Sequence, residues 1–113
     1  MSIKSMIRKA GTRIDVKYLD TTTRDGGQLQ KMWKIRHRRV PIRLNALSRE
    51  EEKVIYDRHK VMAKFKGYLE TKTDILTTDR ITLNSRVFNI VLITDTDNLE
   101  RLQTLYLEEK TND

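Results

Sequence analysis

A chain of 113 residues with 37% hydrophobic and 35% charged side chains can enclose one thin core and no more. It holds no cysteine, which excludes a disulfide scaffold, a thiolate metal site and a cysteine nucleophile; no apolar run approaches transmembrane length, and the start Met1-Ser2-Ile3-Lys4 lacks the apolar stretch of a secretory signal, so a soluble intracellular or particle-borne domain is expected, with no membrane partner. The net charge of +7 is uneven: residues 1–43 carry +9 and residues 44–113 carry −2, a polarity that speaks about partners rather than fold.

The first twelve residues, with Lys4, Arg8 and Lys9, read as a flexible basic arm ahead of one domain over 13–110. Arg13–Tyr18 alternates apolar and polar residues, which predicts a half-buried strand with Ile14, Val16 and Tyr18 inward. Leu19–Gly27 reads as a loop ending in Asp25-Gly26-Gly27, whose glycines supply the positive φ a turn requires. Gln28–Ile35 places Trp33 and Ile35 on one face, and Val40, Ile42 and Leu44 resume the alternation. Pro41 cannot donate a ladder hydrogen bond, so this strand belongs at an edge or contains a bulge.

Ser48 and Glu51 form an S-x-x-E capping box, and Glu50, Glu51 and Glu52 favour the positive end of a helix dipole. They predict a helix over about 48–58, with Val54, Ile55 and Arg58 as a narrow inward stripe. Val61, Ala63 and Phe65 alternate with lysines and predict a strand, and Glu70–Thr78 reads as loop. Arg80–Leu83, the turn Asn84-Ser85 and Arg86–Ile93 predict a hairpin; the near-continuous apolar run from Val87 marks a central strand. Asp95–Asn98 is a turn cluster, and Leu99–Glu109 carries both helical and strand spacing. The sum is a mainly β fold: a small antiparallel β-barrel or sandwich of about six strands with one inserted short helix. Its core is expected around Ile14, Val16, Trp33, Phe65, Ile81, Phe88 and Ile90.

No catalytic constellation is present. Asp95-Thr96-Asp97-Asn98 lacks the glycine and terminal glutamate of a calcium loop, since Glu100 and Tyr106 stand there. His37 and His59 are 22 residues apart without patterned acids, so no metal and no cofactor site is expected. Trp33 amid basic residues fits a core side chain better than a base-stacking platform. By physics alone the chain is a basic β-rich binding or assembly module, with a small nucleic-acid-binding barrel as the alternative.

In the order of its motifs, from about Arg13 to Glu109, the chain resembles the phage head–tail joining family, the head-closure (stopper) or head completion proteins of tailed bacteriophages. The motifs are the opening strand Arg13–Leu19, the Gly26-Gly27 turn, the tryptophan strand, Leu44–Glu51 with its Ser-x-x-Glu, and Ala63-Lys64-Phe65-Lys66-Gly67. The most telling is Asp79-Arg80-Ile81-Thr82-Leu83-Asn84-Ser85-Arg86-Val87-Phe88-Asn89-Ile90, followed by Thr94–Asp97 and the closing Leu105–Glu109. The chain departs from the family in Asn84-Ser85, where glycine is frequent, and in Val40-Pro41, near the usual aromatic–alanine pair. The resemblance implies a non-enzymatic ring of twelve or six copies in the virion neck. Such a ring is made in the host bacterial cytoplasm, sits below the portal and adaptor proteins, and passes double-stranded DNA without sequence readout. It retains the packaged genome and offers the tail its docking surface. It further implies that Ser48–Met62 projects from the barrel, with Glu50, Glu51 and Glu52 pairing across subunits with Arg58 and Lys60. Lys4, Arg8 and Lys9 would dock on an acidic partner ring or DNA.

Overall fold

Alternation of branched and aromatic residues with polar ones, punctuated by short turns, builds seven antiparallel strands in one sheet. The computed structural model describes residues 12–23, 26–27, 29–70, 74–97 and 102–110. Among the described residues the strands are β1 (Arg13–Thr23), β2 (Leu29–Pro41), β3 (Arg43–Ala46), β4 (Phe65–Glu70), β5 (Arg80–Leu83), β6 (Arg86–Asp97) and β7 (Leu102–Lys110), with one helix, α1 (Arg49–His59), between β3 and β4. Their order is β2-β1-β5-β6-β7-β4-β3, which puts the apolar strand β6 at the centre. The sheet is open rather than a closed barrel: β2 and β3 end the order at opposite sides and do not pair with each other. Yet only Ile42 separates them in sequence, so the two edges meet at this fully buried residue, whose N–H donates to the Thr12 carbonyl. The sheet therefore curls around one core of Ile14, Val16, Val40, Ile42, Leu69, Ile75, Ile81, Phe88, Ile90, Leu105 and Leu107. Phe65 is half-buried and meets Phe88 edge-on at a centroid distance of 5.4 Å.

Several sequence expectations change. The loop over Leu19–Gly27 is largely strand, since β1 continues to Thr23 and pairs through Thr23↔Leu29. Polar residues hide this: none of Leu19, Asp20 and Thr21 is buried, so no apolar alternation marks the strand there. Val61–Lys64 lies outside β4, although the Lys64 N–H still donates to the Leu107 carbonyl. Leu102–Lys110 is strand, with Leu105 and Leu107 inward. Asp95–Asp97 ends β6 with a register shift rather than forming a turn; Asn98 lies outside the described residues.

The strand carrying Pro41 is a sheet edge and is also bulged. Pairing skips one β2 residue between Ile14↔Val40 and Val16↔His37, and another between Val16↔His37 and Lys17↔Ile35. At the first bulge Arg39 adopts φ 52°, and its backbone N–H donates to Asp15 Oδ1 at 3.0 Å. A side chain in the left-handed region is strained and glycine is not, so Arg39→Gly, which keeps this N–H, is expected to raise stability by about 0.5–1 kcal/mol. A rise in the thermal midpoint checks it, and a fall would show that the arginine side chain contributes more than its backbone costs.

The helix starts as the sequence predicts. Ser48 accepts from the Glu51 N–H, Glu51 accepts from the Ser48 N–H, and Lys60 closes the helix in the left-handed conformation. Its inward stripe is narrower than expected: Ile55 alone is buried, against Leu47 and Ala63 with Val61, Val91 and Tyr106 alongside, while Val54 and Arg58 are exposed. The helix thus meets the sheet through this one small cluster, and most of its surface faces solvent.

Candidate interaction surface

What extends beyond the main sheet is the β1–β2 ribbon. β5 covers only Asp15–Lys17 of β1, so among the described residues no third strand pairs with the two from Tyr18 to Thr23. Period-two geometry then sorts the ribbon into two faces. Leu19 opposite Trp33, Lys17 opposite Ile35 and Thr21 opposite Lys31 share the outer face. Tyr18 opposite Lys34 and Asp20 opposite Met32 share the other.

Trp33 is not a core residue. It is half-buried on the outer face, and the Arg80 guanidinium lies 4.1 Å from its ring centroid. Alternation made it look inward, but on a two-stranded ribbon neither face packs on the core.

The basic charge of β2 divides into tied and untied side chains. Lys34 Nζ is 2.7 Å from Asp20 Oδ2, a charge-assisted contact that raises the lysine pKa above its ordinary value. Arg36 reaches Asp79 through two hydrogen bonds of 2.9 and 3.2 Å, stacks 4.8 Å from the Tyr18 ring, and is held above its ordinary pKa by that Asp79 bond. Asp79 is almost wholly buried and also accepts the Leu76 N–H at 2.9 Å, so one carboxylate fastens the segment before β5 to the second β2 bulge. His37 Nε2 adds a 2.7 Å contact with the Asp74 carbonyl. Sequence reasoning met Asp79 only as the acid opening a motif, because a bidentate pair 43 residues apart leaves no local signal. Lys17, Lys31, Arg38, Arg39 and Arg43 make no ion pair among the described residues.

The acids at the start of α1 are mostly committed within the chain. Glu51 pairs with Lys66 and Glu52 lies 3.3 Å from Lys64, both from the chain entering β4. Glu50, Arg58 and Lys60 are exposed, and Glu50 and Arg58 have no ion-pair partner among the described residues, while the Lys60 ammonium sits 5.6 Å from the Tyr56 ring. Lys4, Arg8 and Lys9 lie outside the described residues. No group of three His, Asp or Glu side chains able to hold a metal occurs among the described residues, and no helix there is long and apolar enough to cross a membrane.

Two of these pairs tie acid to stability. The hydrogen bond from Lys66 holds the Glu51 carboxyl below its ordinary range, and the Arg86 fork, at 2.9 and 3.0 Å, does the same for Glu109. A carboxylate with a depressed folded pKa contributes stability that is complete above its unfolded value and is lost as pH falls through the folded one. Stability is therefore expected to decline as pH drops below about 4.5. Glu51→Gln, which keeps the capping acceptor but not the charge, should flatten that decline in urea titrations at several pH values. An unchanged pH profile would remove Glu51 from the account.

No family model and no curated protein matches this sequence. Among solved structures, the chain is similar in fold to protein SF1141 from Shigella flexneri 2a, determined in solution. The TM-score is 0.73 at 19% identity, over 90% of this chain and 94% of that one, so the likeness is of fold alone.

Proposed function

We propose that this chain is a ring-forming head-closure protein of a phage head–tail connector, which sits below the portal and adaptor, retains packaged DNA and offers the tail its docking surface. The observation that carries the reading is the ordered motif series from Arg13 to Glu109, above all the Asp79–Ile90 hairpin. Physical features support it. The ribbon holds exposed leucines and untied cations that a lone monomer leaves in water. A thin core suits a subunit completed by its neighbours. In a cyclic ring every contact joins two different patches of the same chain, and the charge of this chain is unevenly divided along it. The ring acts by blocking and docking, without turnover or cofactor.

A density map of the particle neck tests this. The expected result is this chain as a ring between adaptor and tail; particles whose neck lacks it overturn the reading. Lys31, Arg38, Arg39 and Arg43 favour the second reading, a nucleic-acid-binding module. That reading requires duplex or single-strand affinity falling steeply with salt, in proportion to the phosphates contacted. A flat salt dependence excludes it.

A further inference from the structure

We infer that the outer face of the β1–β2 ribbon docks on a second copy of this chain, in the groove that α1 forms around Val54. The inference rests on the ring reading in one respect, that the partner is another copy. Pairing register gathers Leu19, Leu29, Trp33 and Ile35 on one face. Leu19 is 41% exposed, Leu29 67% and Ile35 38%, a run of apolar residues that the monomer leaves uncovered. A two-stranded ribbon is marginal in water and gains most from a cover. The composition of the face favours protein over nucleic acid: Leu19, Leu29 and Ile35 are aliphatic, and one side of its single aromatic ring, Trp33, is covered by Arg80.

The same chain holds a surface of complementary character. A groove lined by Leu47, Glu50, Val54, Ile55, Arg58 and Tyr106 has an apolar floor, with Val54 47% exposed. Glu50 at its edge is the acid of the α1 first turn with no ion pair among the described residues, since Glu51 and Glu52 are held by Lys66 and Lys64. Lys17 and Lys31 flank the ribbon's apolar residues with no carboxylate partner among the described residues. An apolar centre with a basic rim thus faces an apolar groove on another part of the chain, whose rim carries Glu50, Glu51 (held by Lys66) and the cation Arg58, so that Glu50 is the acid open to Lys31. Such a contact is heterologous, the kind that builds a ring when its rotation closes. The rim pair of Lys31 with Glu50 sets register and orientation.

The chain's lack of cysteine makes the test direct. Ile35→Cys and Val54→Cys are combined in the full chain, and oxidation is followed on non-reducing gels up to millimolar protein, and in assembled necks. The double variant is expected to give a ladder of dimers and higher species, with each single variant remaining monomeric. Lys31→Glu and Glu50→Lys are each expected to cut the cross-linked yield at least tenfold, and together to restore it. Amide spectra of the variants confirm the fold. The inference is overturned by a double variant that stays monomeric throughout, by single variants that cross-link to themselves, by a ladder that needs a different protein, or by charge reversal that changes DNA binding but not the ladder. The two proposals fail separately. A neck ring without the 35–54 link sinks this contact alone, whereas a ladder from a chain absent from the neck sinks only the connector reading.

Discussion

Gly67→Ala is expected to lower the stability of this domain by about 2 kcal/mol, despite adding a single methyl group. Gly67 lies in β4 opposite Leu44 and Leu105, where β3 and β7 flank it. A Cβ there would stand 2.5 Å from Ile42 Cδ1 and 3.1 Å from its Cγ1. Cδ1 is the free end of its side chain, but Ile42 is fully buried at the junction where β2 passes into β3, so it can turn aside only by displacing core neighbours. Two effects oppose each other. Alanine restricts the unfolded chain and by itself would contribute up to about 1 kcal/mol of stability. Overpacking a dense core costs about 1–3 kcal/mol, and with the nearest atoms enclosed on all sides the collision wins. A double-mutant cycle identifies the cause. Ile42→Val deletes the colliding Cδ1 and alone should cost about 1 kcal/mol. In the Gly67→Ala background it should cost nothing or restore stability, a coupling of at least about 1 kcal/mol. Urea midpoints at unchanged m-value give both numbers. Additive costs would show that the glycine serves something other than the passage of Ile42.

Asp79→Ala is expected to cost about 3 kcal/mol and to free the segment before β5. Its carboxylate serves three donors: Arg36 Nε, Arg36 Nη2 and the Leu76 N–H. Alanine leaves Leu76 N–H unmatched, strands the Arg36 guanidinium beside Tyr18, and opens a void where a side chain was 99% enclosed. Asp79→Asn keeps one acceptor oxygen, which in the Oδ2 position still takes Leu76 N–H and Arg36 Nε while its NH2 faces Arg36 Nη2, so it should lose less than the alanine variant. Denaturant titration gives the cost. Limited proteolysis reports the loop, where Leu76 is exposed and Ile75 is buried, so release of the segment exposes new cleavage sites. Equal loss in the alanine and asparagine variants would mean that packing, not the paired charge, carries the effect.

Both positions bear on function through placement. Ile42 joins the two edges of the sheet, and the Arg36–Asp79 pair anchors the base of the ribbon to the main sheet. Weakening either would blur the direction in which the ribbon points before it touched a docking residue. The two proposals therefore depend on a framework whose stiffness is measurable independently of any partner.

The amino-acid order by itself determined what short-range physics can specify. The capping box of Ser48 and Glu51, the inward set Ile14, Val16, Ile81, Phe88 and Ile90, the Asn84-Ser85 hairpin and the central position of β6 are all local patterns, and local geometry realises them. So was the charge polarity, since it is a matter of counting. Tertiary structure alone decided the rest. Whether an alternating face is buried depends on what lies across from it, so Trp33 reads as core and stands instead beneath Arg80 on a ribbon without a third strand. Which charges are spent depends on neighbours distant in sequence: Asp79 takes Arg36, and Lys64 and Lys66 take Glu52 and Glu51, leaving Glu50 and Lys31. A pattern fixes which way a side chain leaves its own backbone; only the folded chain fixes what it meets there.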